Sequence, residues 1–211
     1  MTDERTASVF FFAPFVSSTQ RVEPAWVDYN GHMNMAYYHV LFDRAVDEAF
    51  EIVGLGPGYR EERQASFFTA ETHTCYKREL TAGEAVRVTI QLVDYDDKRL
   101  HFYQEARHAE EGWTAACCEN LSLHVDMATR KVAPFPDDIL ANLAVMKAAH
   151  ARLQTPEALG RLMGIPRWNE TGREASPGLS SRSNRAGSRD ERRGPSSAGT
   201  AGYAGSRSAT G

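Results

Sequence analysis

Residues 35–42, MAYYHVLF, are apolar almost all the way round a helix. A helix with that pattern has no wet side, so other elements must enclose it. The helical segment runs over residues 34–53. Asn34 is a good N-cap type and Gly54 a good stop. Charge returns only in its second half, at Asp43, Arg44, Asp47, Glu48 and Glu51.

The flanking segments supply the enclosure. A short, loosely alternating strand within 15–26 (Val16, Val22, Trp26) stops at a turn over 28–31. After the helix, 66–80 reads as a long strand with Phe67, Phe68, Cys75 and Tyr76, closed by a turn at Ala82-Gly83. Val86, Val88, Ile90 and Leu92 alternate with the period of a half-buried strand. A polar turn at 95–98 leads to Leu100 and Phe102, which alternate with His101 and Tyr103. Glu110-Glu111-Gly112 then turns the chain into 113–126, where Leu121, Leu123 and Val125 share one phase and Glu119 falls in it. Successive strands on short turns form an antiparallel meander. The class is α+β: a curved antiparallel sheet wrapped around a central helix, the hotdog arrangement, with added C-terminal helices. The first of these covers 137–153, with Ile139, Leu140, Leu143, Met146 and Leu153 on one face. A shorter one is expected after Thr155-Pro156.

Composition divides the chain. Of the net charge of -4, residues 169–211 carry +3, from seven arginines against four acids, so the remainder carries -7. That segment is rich in Gly, Ser and Ala, and Leu179 and Tyr203 are its only large apolar residues. It is expected to be a disordered tail, because it cannot bury enough surface to offset its ordering entropy. One domain is expected over 15–168, ending near Trp168, after an N-terminal extension over 1–14.

An acidic body argues against specific nucleic-acid binding. No apolar run approaches the roughly 20 residues of a membrane span. The longest, 9–16, is broken by Pro14 and follows Asp3, Glu4 and Arg5 rather than a basic leader. Cys75, Cys117 and Cys118 make a poor disulfide framework and suit a reducing cytoplasm. No spacing reads as a zinc site, a phosphate loop or a serine-nucleophile elbow.

The densest polar cluster is WVDYNGHMNMAYY, residues 26–38. It places a carboxylate, Asp28, near the positive end of the central helix and its free N–H groups. Such amides can hold an oxyanion, and a carboxylate beside them can attack a carbonyl or activate water. Residue types alone also allow a plain reading. Asp28 and Asn30 then build a turn at Gly31, His32 ties it down, and Asn34 caps the helix.

With the helix that follows, W-V-D-Y-N-G-H-M-N resembles the signature of the 4-hydroxybenzoyl-CoA thioesterase branch of the hotdog superfamily. Phe67–Tyr76 (FFTAETHTCY), 96–104 (DDKRLHFYQ) and 123–135 (LHVDMATRKVAPF) sharpen the likeness toward betainyl-CoA thioesterases of carnitine breakdown. Trp26 stands where many members carry a further acid. The resemblance spans about 15–135 and implies an acyl-CoA thioesterase in which Asp28 is nucleophile or general base. Backbone amides at Asn34 and Met35 are implied as the oxyanion hole. It implies sites between two subunits of a homodimer or dimer of dimers. It implies no cofactor, since coenzyme A belongs to the substrate.

A betainyl group carries a trimethylammonium, best held by aromatic faces and a carboxylate. Expected contacts are Trp26, Tyr29, Gly31, His32, Tyr38 and Phe68, with Glu71, His73 and Glu119 on strands facing the helix. Tyr37, Phe67 and Trp113 are further aromatic candidates. Lys98 and Arg99, and then Arg130 and Lys131, are expected phosphate partners. The alternatives are another short or aromatic acyl group, or a hotdog module that binds acyl-CoA without turnover. A dehydratase on this fold is disfavoured, because His39 lacks the partner acid.

Overall fold

The structure is a computed structural model and describes residues 13–165. All but the last two residues of the expected N-terminal extension lie outside that span. So do Trp168 and the expected tail over 169–211.

Helix α1 (Met35–Glu51) begins where the sequence predicts, with the Asn34 side chain accepting the Ala36 N–H. It ends in a Schellman turn. Leu55 N–H reaches the Phe50 carbonyl, Gly54 N–H reaches that of Glu51, and Gly54 takes φ +89. Its buried stripe is Tyr38, Leu41, Phe42, Ala45, Ala49 and Phe50, at three- and four-residue steps. Burial is not all round: Met35 is 64% exposed. A short α2 (Pro57–Arg63), absent from the sequence expectation, follows, with Pro57 in its first turn.

The sheet is antiparallel. Strands β4 (Ala85–Tyr95), β5 (Arg99–His108) and β6 (Thr114–Asp126) form the predicted meander, and β3 (Ala65–Tyr76) returns to pair with β6. One sheet edge is β3, whose residues 68–72 are all exposed. The other edge of β4 carries two short strands, β1 (Phe15–Val16) and β2 (Gln20–Arg21). The single strand expected within 15–26 is thus three pieces. Ser17 Oγ takes the Val88 N–H, and Pro24, with no N–H to give a ladder, opens a 3-10 turn over Pro24–Trp26. A two-residue β7 (Lys131–Val132) pairs with the end of β6.

Over residues 118–124 the phase of β6 is opposite to that expected, while Val125, the third residue of the expected row, is buried. Cys118, Asn120, Ser122 and His124 are its alternating buried positions, while Glu119, Leu121 and Leu123 are half-buried on the outer face. Most of this polar inner row is bonded, Ser122 Oγ being its one buried oxygen without a hydrogen-bond partner among the described residues. Asn120 Nδ2 donates to Gln104 Oε1 at 2.9 Å, and Gln104 Nε2 to the Phe42 carbonyl of α1 at 3.0 Å. Glu119 is held outside by His101 at 2.8 Å and by the Gly160 N–H at 2.7 Å.

Helix α3 (Asp137–His150) forms as predicted, ending three residues early. It packs on β4 at the bulge between Leu92 and Asp94. There His150 Nδ1 accepts the Leu92 N–H and Lys147 donates to the Val93 carbonyl. The helix expected after Pro156 is absent. The segment closes as turns, Leu159 N–H to Pro156 and Arg161 N–H to Ala158, with Gly160 at φ +69. Ala158 and Leu159 instead pack against Tyr103, Cys117 and Cys75. No helix among the described residues is long and apolar enough to cross a membrane.

Candidate active site

The turn before α1 is built from its backbone outward. Val27 pairs with Met33 across it, Asp28 N–H donates to the His32 carbonyl, and Gly31 N–H returns to that of Asp28. Gly31 sits at φ +87, a conformation that disfavours a side chain. The Asp28 carboxylate accepts the Asn30 N–H at 2.8 Å. Below the turn, the buried Trp26 ring stacks on Tyr37 with centroids 5.4 Å apart, and the Arg44 guanidinium lies 5.2 Å from its centre.

This places Asp28 in a cleft of about 460 Å³. One wall is the turn and the start of α1: Asp28, His32, Asn34, Met35 and Tyr38. The other is the end of β3 and the chain beyond it, Tyr76, Lys77, Arg78 and Glu79. The walls are tied together. Met33 N–H donates to the Leu80 carbonyl at 2.7 Å, Tyr76 Oη to that of Met35 at 3.3 Å, and His32 lies 3.4 Å from Glu79. Tyr38 and Tyr76 meet edge to face at 5.2 Å. Burial pushes the Tyr38 hydroxyl up to about 12, so it stays protonated at neutral pH. The Arg78 guanidinium rests 4.0 Å from the centre of the Trp113 ring.

The helix N-terminus offers one donor. Asn34 N–H is used on the Trp26 carbonyl at 2.9 Å, and Ala36 N–H on the Asn34 cap. Met35 N–H has no hydrogen-bond partner among the described residues. A carboxylate and an unpartnered amide at the positive end of a helix can together attack a carbonyl and hold its oxygen.

A second hollow of about 350 Å³ lies further along α1, between that helix and β3. Phe42, Phe67, Asp43, Asp47 and Asn120 help to line it. Burial, then the nearby Asp43 and Glu51, hold the Asp47 carboxyl above the usual carboxylate range.

The structure therefore gathers Asp28, His32, Asn34, Met35 and Tyr38, with Gly31 shaping their turn. Trp26 lies beneath as packing, and Tyr29 is 97% exposed at the tip. Phe68 and Glu71 are exposed on the β3 edge. Glu71 and His73 share the sheet face away from the helix, opposite Leu121 and Glu119, not the face toward it. His73 pairs with Glu119 in register and has Cys75 Sγ 3.8 Å from its ring. Lys98 ends the turn before β5 and Arg99 opens the strand, paired with Asp97 and Asp96 respectively. Arg99 aligns with Leu123, and Leu123 with Phe68, eight residues along β3 from Tyr76. Both cations thus sit about 25 Å from the cleft of their own chain. Arg130 and Lys131 lie toward that same far end, beside Asp126. The cations bordering the cleft are Lys77 and Arg78, which the sequence reading passed over along with Tyr76 and Glu79. A strand returning to the helix start was the available signal.

Residues 22–143 match the family model of the thioesterase-like superfamily. A betainyl-CoA thioesterase of Pseudomonas aeruginosa is 37% identical over 145 residues, which are 69% of this chain and 91% of that protein. An L-carnitine dehydrogenase/betainyl-CoA thioesterase of Rhizobium meliloti is 37% identical over 147 residues. The match covers 70% of this chain but only 29% of that longer protein. Among solved structures, a hypothetical protein of Staphylococcus aureus in complex with CoA superposes with a TM-score of 0.69 at 31% identity. That comparison covers 76% of this chain and 100% of the other. With its antiparallel sheet packed on a central helix, the chain belongs to the thioesterase-like superfamily and has the hotdog fold.

Proposed function

We propose that the chain is an acyl-CoA thioesterase and that its substrate is betainyl-CoA, hydrolysed to betaine and CoA. The observation that carries the reading is the Asp28 carboxylate and the unpartnered Met35 N–H sharing one cleft. The thioester carbonyl oxygen points at Met35 N–H, which stabilises the charge it gains in the transition state. Asp28 either attacks the carbonyl carbon, forming a mixed anhydride that water then opens, or takes a proton from the attacking water. In both routes the CoA thiolate leaves and is protonated, and betaine departs with its carboxylate.

The name of the Pseudomonas aeruginosa relative supports the acyl group, and the CoA complex of the Staphylococcus aureus neighbour supports the thiol. Lys77 and Arg78 supply positive charge beside the cleft for CoA phosphates. A homodimer is supported by the exposed β3 edge, which a second copy would cover. Three free thiols favour a cytoplasmic setting.

The test is thiol release from a panel of acyl-CoAs, compared by kcat/KM. Betainyl-CoA should lead. A value no better than those for acetyl-CoA and 4-hydroxybenzoyl-CoA rejects the betainyl assignment, and thiol release from none of the panel rejects the hydrolase.

A further inference from the structure

We infer that Tyr38, Tyr76 and Glu79 form a cation-holding wall of the Asp28 cleft, the surface that receives the trimethylammonium of the acyl group. This inference rests on the thioesterase reading above and adds to it the residues that select a charged acyl chain.

The substrate's own geometry restricts the search. In a betainyl thioester the quaternary nitrogen is two single bonds from the carbonyl carbon, roughly 2.5 Å away. Whatever recognises the cation must therefore share the cleft in which Asp28 and Met35 meet the carbonyl. The acid pair of the second hollow does not qualify within this chain. Asp43 is eight residues along α1 from Met35, a separation of about 12 Å along the axis.

A quaternary ammonium has no N–H to donate, so aromatic faces and carboxylates are its natural partners. The cleft lining contains two aromatic side chains, Tyr38 and Tyr76, and two carboxylates, Asp28 and Glu79. Tyr76 is the better placed ring. Its hydroxyl is tied to the Met35 carbonyl, which pins it beside the amide that holds the thioester oxygen, and it remains 44% exposed. Tyr38 braces it edge to face at 5.2 Å. Glu79 adds negative charge that does not take part in the reaction, near His32 at 3.4 Å. Lys77 and Arg78 also line the cleft; Arg78 packs on the Trp113 ring, and both are the charges assigned above to the CoA phosphates.

The test compares two non-hydrolysable thioethers by calorimetry: the betainyl-CoA analogue with CH2 in place of the carbonyl, and its uncharged tert-butyl isostere. The wild type should bind the cationic analogue about tenfold tighter. Tyr76→Leu should cut that preference to about threefold or less, while Tyr76→Phe keeps it, because the ring face and not the hydroxyl meets the cation. Glu79 is 73% exposed in its side chain, so Glu79→Gln is the variant that tests the wall without disturbing packing; it too should lower the ratio. Equal binding of both analogues by the wild type overturns the inference, as does an unchanged preference in Tyr76→Leu and Glu79→Gln. Hydrolysis of betainyl-CoA and 3,3-dimethylbutyryl-CoA, measured in parallel, separates the two readings. Equal turnover with equal analogue binding removes the cation wall and keeps the hydrolase. A cationic preference with no turnover keeps the wall and removes the hydrolase.

Discussion

The Asp28 carboxylate accepts the Asn30 N–H at 2.8 Å, so one side chain both builds the turn and stands in the cleft. The bond uses Oδ1, and Oδ2 has no hydrogen-bond partner among the described residues. Asparagine can keep the turn bond through its own carbonyl oxygen but can neither attack a thioester nor take a proton from water. Asp28→Asn should lower kcat by about a thousandfold or more, within the range a catalytic acid–base group supplies. Its thermal midpoint should stay within a few degrees of wild type. Near-normal thiol release in a folded Asp28→Asn protein would remove the carboxylate from the chemistry.

Asn34 separates capping from catalysis. Its side chain satisfies the Ala36 N–H at 3.0 Å and so sets where α1 starts. Asn34→Ala should cost about 1 kcal/mol, lowering the thermal midpoint by about 2–4 °C, while Asn34→Asp or Asn34→Ser restores it. If the cap also aims Met35 N–H, kcat in Asn34→Ala falls by less than in Asp28→Asn and recovers with the serine variant. Calorimetry and thiol release on the same preparations check both.

These two residues mark where sequence was readable. Asp28, Asn34 and Gly54 act through their immediate neighbours, so turn, cap and stop were visible in one stretch of chain. The meander was visible for the same reason, since its turns are local. The far wall of the cleft was not. Tyr76 to Glu79 lie nearly fifty residues from the turn, and the pairing of β3 with β6 brings them back. Lys98 and Arg99 are expected phosphate partners and Lys77 and Arg78 are not, because a cation beside a turn carries no mark of which end of the sheet it occupies. The phase of β6 misled because Leu121 and Leu123 alternate as core residues do, whereas the chain buries Asn120 and Ser122 instead. Helix α2 is seven residues, mostly polar, preceded by Gly56 and carrying Gly58, with no periodicity to read.

Asp47 gives a pH dependence of known sign. Burial first, then Asp43 and Glu51 four residues either side, raise its carboxyl. A raised acid destabilises the fold when charged. The penalty is full above the folded value and disappears as pH falls through it toward the unfolded value near about 4. Asp47→Asn should therefore raise the thermal midpoint at pH 7 by about 1–2 °C, the scale of two like-charge pairs on a helix face. The gain should shrink as the pH falls through the raised folded value and be gone below about 4. A midpoint at pH 7 equal to or below wild type, followed by thermal scans across pH, would show that the charges are relaxed by solvent.

The bond from Asn120 to Gln104 lies beneath α1, and its loss should be felt there. Gln104 is 1% exposed and Asn120 6%, so neither can turn to water without opening the core. Asn120→Ala leaves Gln104 Oε1 without its donor and should cost about 1–3 kcal/mol, the penalty of an unmet buried acceptor plus the lost volume. Gln104→Leu alone removes the donor to the Phe42 carbonyl and leaves Asn120 Nδ2 only its longer bond to the Cys118 carbonyl at 3.3 Å, so it should cost no more than Asn120→Ala. The double variant Asn120→Ala with Gln104→Leu removes both partners and should cost less than the sum of the singles. Denaturant midpoints of the four proteins close that cycle. Additive losses would mean that the two amides act independently of each other.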